Sequence, residues 1–330
     1  MSLKKMLFVY NPRSGKGLIK HHLFEIVNIF TEAGWAVTAY PTQAKGDGHD
    51  RILEMAGDYD MLVVSGGDGT LSEAVQAIME GGLDIPLGYI PAGTTNDFAA
   101  SMGIPRDMAK AAREIAEGVI FETDIGSFNG RFFAYVAAFG LFTDVTYETP
   151  QTTKNILGHA AYVLEGLRRL PSYKGIELTV EHDGILETGN FIVGLISNSR
   201  SVGGMAIKAL GRSNFDDGLL EISMVRTPTS PIVLQQTINE ILANRIGNDH
   251  FLVFRASNAK ITSADGVSWT LDGEAGGTHT EAEIICHKRA LKLMIRPDDK
   301  TDQQSEIDRM HESMKTSKGL LFADQTDIEP

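Results

Sequence analysis

Met61-Leu62-Val63-Val64-Ser65-Gly66-Gly67-Asp68-Gly69-Thr70-Leu71-Ser72 runs from four apolar residues into three glycines set around one carboxylate. The apolar run reads as a buried strand, and helical spacing resumes from Leu71 to Met79. Glycines at this junction let the backbone approach a polyphosphate, and Thr70 caps the helix while reaching a phosphate oxygen. Asp68 repels phosphate directly, a conflict that a bridging Mg²⁺ removes by neutralising both. A tight turn with a capping aspartate looks the same locally, so the neighbouring segments decide.

Three further strands flank this one: Met6–Tyr10, Trp35–Tyr40 and Ile85–Ile90. Helices follow from about Gly17 to Ala33 and near Asn96. Apolar strands alternating with helices imply a parallel sheet, with ligands beyond the carboxyl ends of its strands. Two more turns fall at those ends. Asn11-Pro12-Arg13-Ser14-Gly15-Lys16 exposes backbone N–H groups ahead of a helix, without Walker A spacing. Pro91-Ala92-Gly93-Thr94-Thr95-Asn96-Asp97-Phe98 offers two hydroxyl donors and a carboxylate. Each alone reads equally well as an ordinary strand–helix turn. Together they describe one phosphate-binding edge.

After Asp124 short strands dominate: Phe132–Phe139, Gly175–Glu181, Phe191–Ile196, Leu219–Val225, Phe251–Ala256, Lys260–Thr262, Trp269–Leu271, Glu283–Cys286 and Leu291–Ile295. Helical spacing interrupts them at Lys154–Leu170 and Ser230–Ala243. The expected architecture is an N-terminal α/β parallel-sheet nucleotide-binding domain over residues 1–125 and a C-terminal antiparallel β domain over 126–296. The polar, acidic stretch 297–330 carries a helical pattern at Gln303–Met314 and either packs back on the first domain or stays disordered.

Composition narrows the partners. A chain of 330 residues suits two domains, and a net charge of −13 argues against nucleic acid. Cys286, the single cysteine, rules out an internal disulfide and reads as a small buried residue. No apolar run spans a bilayer, and the start Met1-Ser2-Leu3-Lys4-Lys5 lacks signal-peptide character. The expectation is a cytoplasmic protein with transient, peripheral membrane contact. Ile156, Leu157, Ala160, Leu164 and Leu167 recur at helical spacing beside Lys154, Arg168 and Arg169, a stripe that suits either core or an anionic bilayer. Oligomeric state is not readable, and an edge-strand homodimer is left open.

The motifs at 11–15, 66–70 and 91–98 together resemble the catalytic domain of the diacylglycerol kinase family, in its bacterial lipid kinase branch. Order, spacing and layout match up to about residue 297. Gly-Gly-Asp-Gly-Thr is shared with NAD kinases; the other two motifs favour the lipid branch. The resemblance implies an ATP- and Mg²⁺-dependent transfer of phosphate to a lipid hydroxyl, diacylglycerol by default. It places ATP on Asn11, Pro12, Arg13, Ser14, Gly15, Thr42, Gly66, Gly67, Asp68, Gly69, Thr70, Leu71, Ser72 and Thr94.

Leu271-Asp272-Gly273-Glu274 supplies two carboxylates around a glycine, which on sequence alone reads as an Asp-Gly hairpin. In the resembled family this glutamate is the proposed proton acceptor, so Glu274 becomes the expected base with Asp272 orienting it. Asn214-Phe215-Asp216-Asp217-Gly218-Leu219 offers oxygen ligands from Asn214, Asp217 and Leu219, where the resemblance implies a structural Mg²⁺. Asp124 is a candidate to join Asp68 and Asp97 around a hydrated Mg²⁺. An NAD kinase and a non-catalytic nucleotide-binding regulator stand as the alternatives.

Overall fold

The computed structural model describes residues 3–140, 175–198, 201–202, 205–206, 215–242 and 249–297. The expected helix at 154–170 with its apolar stripe, Asn214 and the 298–330 tail lie outside the described residues.

The N-terminal part runs β1 (Lys4–Tyr10), α1 (Ile19–Glu32), β2 (Trp35–Pro41), α2 (Asp47–Met55), β3 (Met61–Gly66), α3 (Asp68–Gly81), β4 (Leu87–Pro91), α4 (Asp97–Met102) and α5 (Met108–Ala116). β1 pairs parallel with β2 and with β3, and β3 pairs parallel with β4. β1 lies between β2 and β3, with successive residues buried on opposite faces. Met6 and Phe8 join Ile26 and Phe30 on one face, while Leu7 and Val9 join Ile52, Val75 and Ile78 on the other. A strand buried on both faces reads as a continuous apolar run.

The chain then passes through β5 (Val119–Phe128), β6 (Arg131–Phe133), β7 (Val136–Gly140), β8 (Ile176–His182), β9 (Ile185–Ser197), β10 (Ser201–Val202), β11 (Met205–Ala206), β12 (Leu220–Arg226), α6 (Pro231–Leu242), β13 (Phe251–Ala256), β14 (Asn258–Leu271) and β15 (Glu274–Ile295). Antiparallel pairing joins β9 to β7, β8 and β12, β12 to β13, and β14 to β7, β8 and β15. Its core is aromatic: Trp269 is fully buried, with Phe128 and Phe139 ring centroids at 4.8 and 4.9 Å. Burying one such side chain contributes on the order of 2–3 kcal/mol.

Two long strands tie the halves together. β5 and β15 pair antiparallel from Ile284↔Phe128 to Ile295↔Val119, and Leu293 of β15 also pairs with Leu87 of β4. Apart from the separate β10–β11 pair, the described strands of both parts therefore form one continuous sheet. Residues 291–295, expected in the second domain, lie against the first, and the expected boundary at 125 falls inside β5. Two expected strand pairs are each one strand with an irregularity. β14 shifts register between Thr262 and Val267, and β15 between His287 and Leu291.

Candidate active site

The three turns meet through their glycines. A Cβ added to Gly15 would stand 2.5 Å from the Ala92 carbonyl oxygen, and one on Gly93 would stand 2.5 Å from the Gly67 Cα. A Cβ on Gly67 would lie 3.5 Å from Ser14 Oγ, so all three turns are in mutual contact. Backbone hydrogen bonds fix this spacing at the strand ends: Asn11 N–H donates to the Ser65 carbonyl at 2.8 Å and Ala92 N–H to the Gly66 carbonyl at 2.7 Å. Such close approach is available only to residues without side chains. Gly15, at φ +56°, also occupies the left-handed region.

Within the cradle, Asn11 Oδ1 accepts the Arg13 N–H at 2.9 Å and stiffens the first turn. Thr42 is buried just past β2, its N–H donating to the Tyr10 carbonyl at 2.9 Å. A Cβ on Gly66 would meet Thr70 Oγ1 and Cβ at 2.2 and 2.4 Å, so this threonine lies directly on the glycine. Thr94 is exposed at the tip of the third turn. Its neighbour Asn96 takes a left-handed conformation (φ +54°) and closes the turn on Gly93, accepting from its N–H and donating to its carbonyl, both at 2.9 Å.

Asp68 bridges the second and third turns. Burial and then the Asp97 charge push its carboxyl up from 3.8, while the N–H groups of Asp97, Phe98 and Asn96 pull it back. Its Oδ1 is buried and has no hydrogen-bond partner among the described residues. An oxygen of this kind fits a divalent cation shared with phosphate oxygens, since Mg²⁺ is commonly held by one or two carboxylates plus its substrate. Among the described residues no group of three or more metal-ligating side chains is preassembled.

Glu274 faces this cradle from the other half of the molecule. Asp272 (φ +49°) and Gly273 (φ +80°) form a tight two-residue hairpin turn, with Leu271 paired to Glu274. Hairpin and functional readings thus describe the same residues. Glu274 Oε1 lies 3.6 Å from the position of a Cβ on Gly69, and Oε2 accepts from Lys45 Nζ at 2.5 Å. Lys45 sits in the β2–α2 loop with its side chain 80% exposed. Nothing in its local sequence marks it.

Asp272 bonds to the backbone of the 134–136 segment. Its Oδ2 accepts the Ala134 N–H at 2.7 Å, and its Oδ1 accepts from Tyr135 at 3.0 Å and Val136 at 3.1 Å. These bonds explain why Phe132–Phe139 is not one strand: at Ala134-Tyr135 the N–H groups turn from the ladder to a carboxylate. Asp272 therefore positions the hairpin against the start of β7.

Burial pushes the Asp272 carboxyl up from 3.8 to about 6, against the pull of those three N–H groups. The folded value lies above the unfolded one, so the folded chain holds this proton more tightly. The stabilisation is complete below about pH 4 and is lost as pH rises to about 6. At about 1.4 kcal/mol per unit, the loss is on the order of 3 kcal/mol. The unfolding free-energy difference between the chain and an Asp272→Asn variant is expected to fall over that window and flatten above it. A difference that grows with pH there contradicts the assignment.

The second acidic turn is built around Asp124. Its Oδ2 accepts the Gly218 N–H at 2.6 Å and its Oδ1 the Arg289 N–H at 2.7 Å. Both oxygens thus serve the 216–218 turn and the irregularity in β15, not a cluster with Asp68 and Asp97. The Cys286 thiol is pushed up to about 12 by burial and then by Asp124, which leaves it un-ionised and unreactive.

Residues 5–128 match the model of the diacylglycerol kinase catalytic domain, and 137–295 match that of the YegS C-terminal NAD kinase beta sandwich-like domain. A Bacillus subtilis protein named diacylglycerol kinase is 34% identical over 303 residues, 91% of this chain and 99% of that protein. A Staphylococcus carnosus protein of the same name is 34% identical over 277 residues, 83% of this chain and 90% of its own. A crystal structure of a Bacillus anthracis diacylglycerol kinase shares the fold, with a TM-score of 0.69 at 22% identity over 90% of this chain and 99% of that one. With both halves matched in order and relatives aligned over nearly their whole length, the chain belongs to the diacylglycerol kinase family.

Proposed function

We propose that this chain transfers the γ-phosphoryl group of ATP to a hydroxyl of diacylglycerol or a closely related lipid, in a Mg²⁺-dependent reaction. The observation that carries the reading is Glu274 Oε1 held 3.6 Å from the Cβ position of Gly69, opposite the meeting point of the three glycine turns. Asn11 to Gly15, Gly66 to Ser72 and Thr94 would line the phosphates with backbone N–H groups and hydroxyls, with Thr42 beside the nucleotide. These donors are preoriented, so they stabilise charge on the transferring group without reorganising. Asp68, with its spare oxygen, would hold Mg²⁺, which when bound neutralises charge on the phosphates.

Glu274 accepts the proton of the lipid hydroxyl. The hydroxyl oxygen bonds to the γ-phosphorus as the bond to the bridging β–γ oxygen breaks, leaving ADP and a phosphorylated lipid. Before nucleotide binds, Lys45 compensates the Glu274 charge. A terminal phosphate entering the cleft offers that ammonium a second anion and frees the carboxylate to act. Pairing of exposed charges is worth only about 0–1 kcal/mol, so the exchange costs little.

The lipid would come from a membrane surface through peripheral, transient contact at the cytoplasmic face; no described helix is long and apolar enough to cross a bilayer. Transfer from radiolabelled ATP to mixed vesicles, run beside a panel of lipid alcohols and NAD, tests the reading. Label on diacylglycerol that disappears with chelator is expected. Label on NAD alone, or tight ATP binding with no transfer to any lipid, contradicts it.

A further inference from the structure

The acidic turn of the second domain is already occupied by cationic side chains. Asp217, offered by the family resemblance as a metal ligand, accepts the Leu219 N–H on Oδ1 at 3.0 Å and Arg255 Nη2 on Oδ2 at 2.6 Å. The same guanidinium grips Glu221 Oε1, through Nε at 3.1 Å and Nη2 at 3.0 Å. Glu221 is fully buried, at 0% exposure. Glu221 and Arg255 stand opposite each other in the β12–β13 register, so the sheet itself fixes this arrangement. The neighbouring Asp216 is held by Arg289, whose Nη2 donates to Oδ2 at 2.9 Å and whose Nε donates to the Asp216 carbonyl at 3.3 Å.

A divalent ion here would have to take an Asp217 oxygen from Arg255. The guanidinium keeps its charge at any working pH, and its planar fork matches carboxylates. Mg²⁺ demands near-octahedral oxygen ligands and sheds water reluctantly. Displacing Arg255 would also break the contacts its guanidinium makes with the buried Glu221, which is unfavourable. Asp217, the side-chain donor among the described residues, therefore does not fit the structural Mg²⁺ expected at Asn214, Asp217 and Leu219.

We infer that Arg255 takes the place of a divalent cation in this turn, a built-in counter-ion joining β12, β13 and the Asp216-Asp217 loop. The β domain then folds without metal, and any metal requirement of the chain belongs to the phosphate cradle. This does not depend on which lipid, or which substrate class, the cradle serves.

Thermal unfolding of the nucleotide-free full chain with EDTA and with millimolar MgCl₂ tests the inference, alongside Asp68→Asn, Arg255→Met and Arg255→Lys. Asp68→Asn removes the buried carboxylate oxygen of the cradle that suits a cation. Its midpoint is expected to be the same in EDTA and in MgCl₂. Arg255→Met is expected to unfold roughly 5 °C or more below the parent, having lost the guanidinium contacts to Asp217 and the buried Glu221. Arg255→Lys, which keeps the charge but not the fork, falls between the two and serves if the methionine variant does not fold. A Mg²⁺-dependent rise that persists in Asp68→Asn overturns the inference. So does a midpoint unchanged in both Arg255 variants.

Discussion

Replacing Glu274 with glutamine is expected to lower kcat by about 10³-fold, within the roughly 10²–10⁴-fold that a positioned proton acceptor supplies. The amide keeps the size and reach of the side chain but cannot take the hydroxyl proton. ATP affinity is expected to stay within about threefold, because the cradle is built from the 11–15, 66–72 and 91–96 turns and not from this hairpin. Stability should barely move. The one ion pair lost, to Lys45, joins groups 80% and 43% exposed and is worth at most about 1 kcal/mol. Steady-state kinetics, nucleotide titration and thermal unfolding on the same preparation separate these quantities. Near-normal turnover in Glu274→Gln removes this residue from the chemistry.

Gly93→Ala is expected to have the next largest effect, through geometry alone. Its new methyl would stand 2.5 Å from the Gly67 Cα and 2.7 Å from Asn96 Oδ1. The first of these is backbone and cannot swing aside, so the second and third turns must part. A displacement of about 1 Å at a phosphate-positioning element costs on the order of 10²-fold in rate. Unlike Glu274→Gln, this variant should also weaken ATP binding, by roughly tenfold or more. Gly57→Ala is the control, with nothing within 4 Å of its new methyl and an ordinary backbone conformation, and it should behave as the parent. Equal kinetics for the Gly93 and Gly57 variants would mean that the contact between turns is incidental.

The sequence was most legible where one local pattern specified one local structure. The β1, β3 and β4 runs and the glycine turns that follow them could be read because a strand buried on both faces is apolar throughout and a close turn demands glycine. The lapses come where distant groups decide. The break between β6 and β7 lies at Ala134-Tyr135 because Asp272, more than 130 residues on, draws those N–H groups away. β15 looked like two strands because Asp124 holds the Arg289 N–H, with Arg289 itself at φ +52°. α2 was passed over because Asp47-Gly48-His49-Asp50 has the composition of a loop, though Asp47 and Asp50 suit a helix's first turn.

The site divides in the same way. Glu274 came from the resemblance to a family; its residues alone suggested a hairpin, which they also form. Asp272 was expected to orient Glu274, and its carboxylate takes the N–H groups of Ala134, Tyr135 and Val136. Lys45 and Arg255 carried no local signal, since each matters only through a carboxylate far away in the chain: Glu274 for one, Asp217 and Glu221 for the other.

A crystal structure with Mg²⁺ and a non-hydrolysable ATP analogue tests the account at its centre, which is one polyphosphate gripped by the three turns in front of Glu274. The account predicts phosphate oxygens on the backbone of the Ser14, Gly67 and Gly93 turns, with the terminal phosphorus within about 6 Å of the Glu274 carboxylate, room for a single hydroxyl. A terminal phosphate lying on the far side of the cradle from that carboxylate, or a nucleotide touching only one turn, would contradict it.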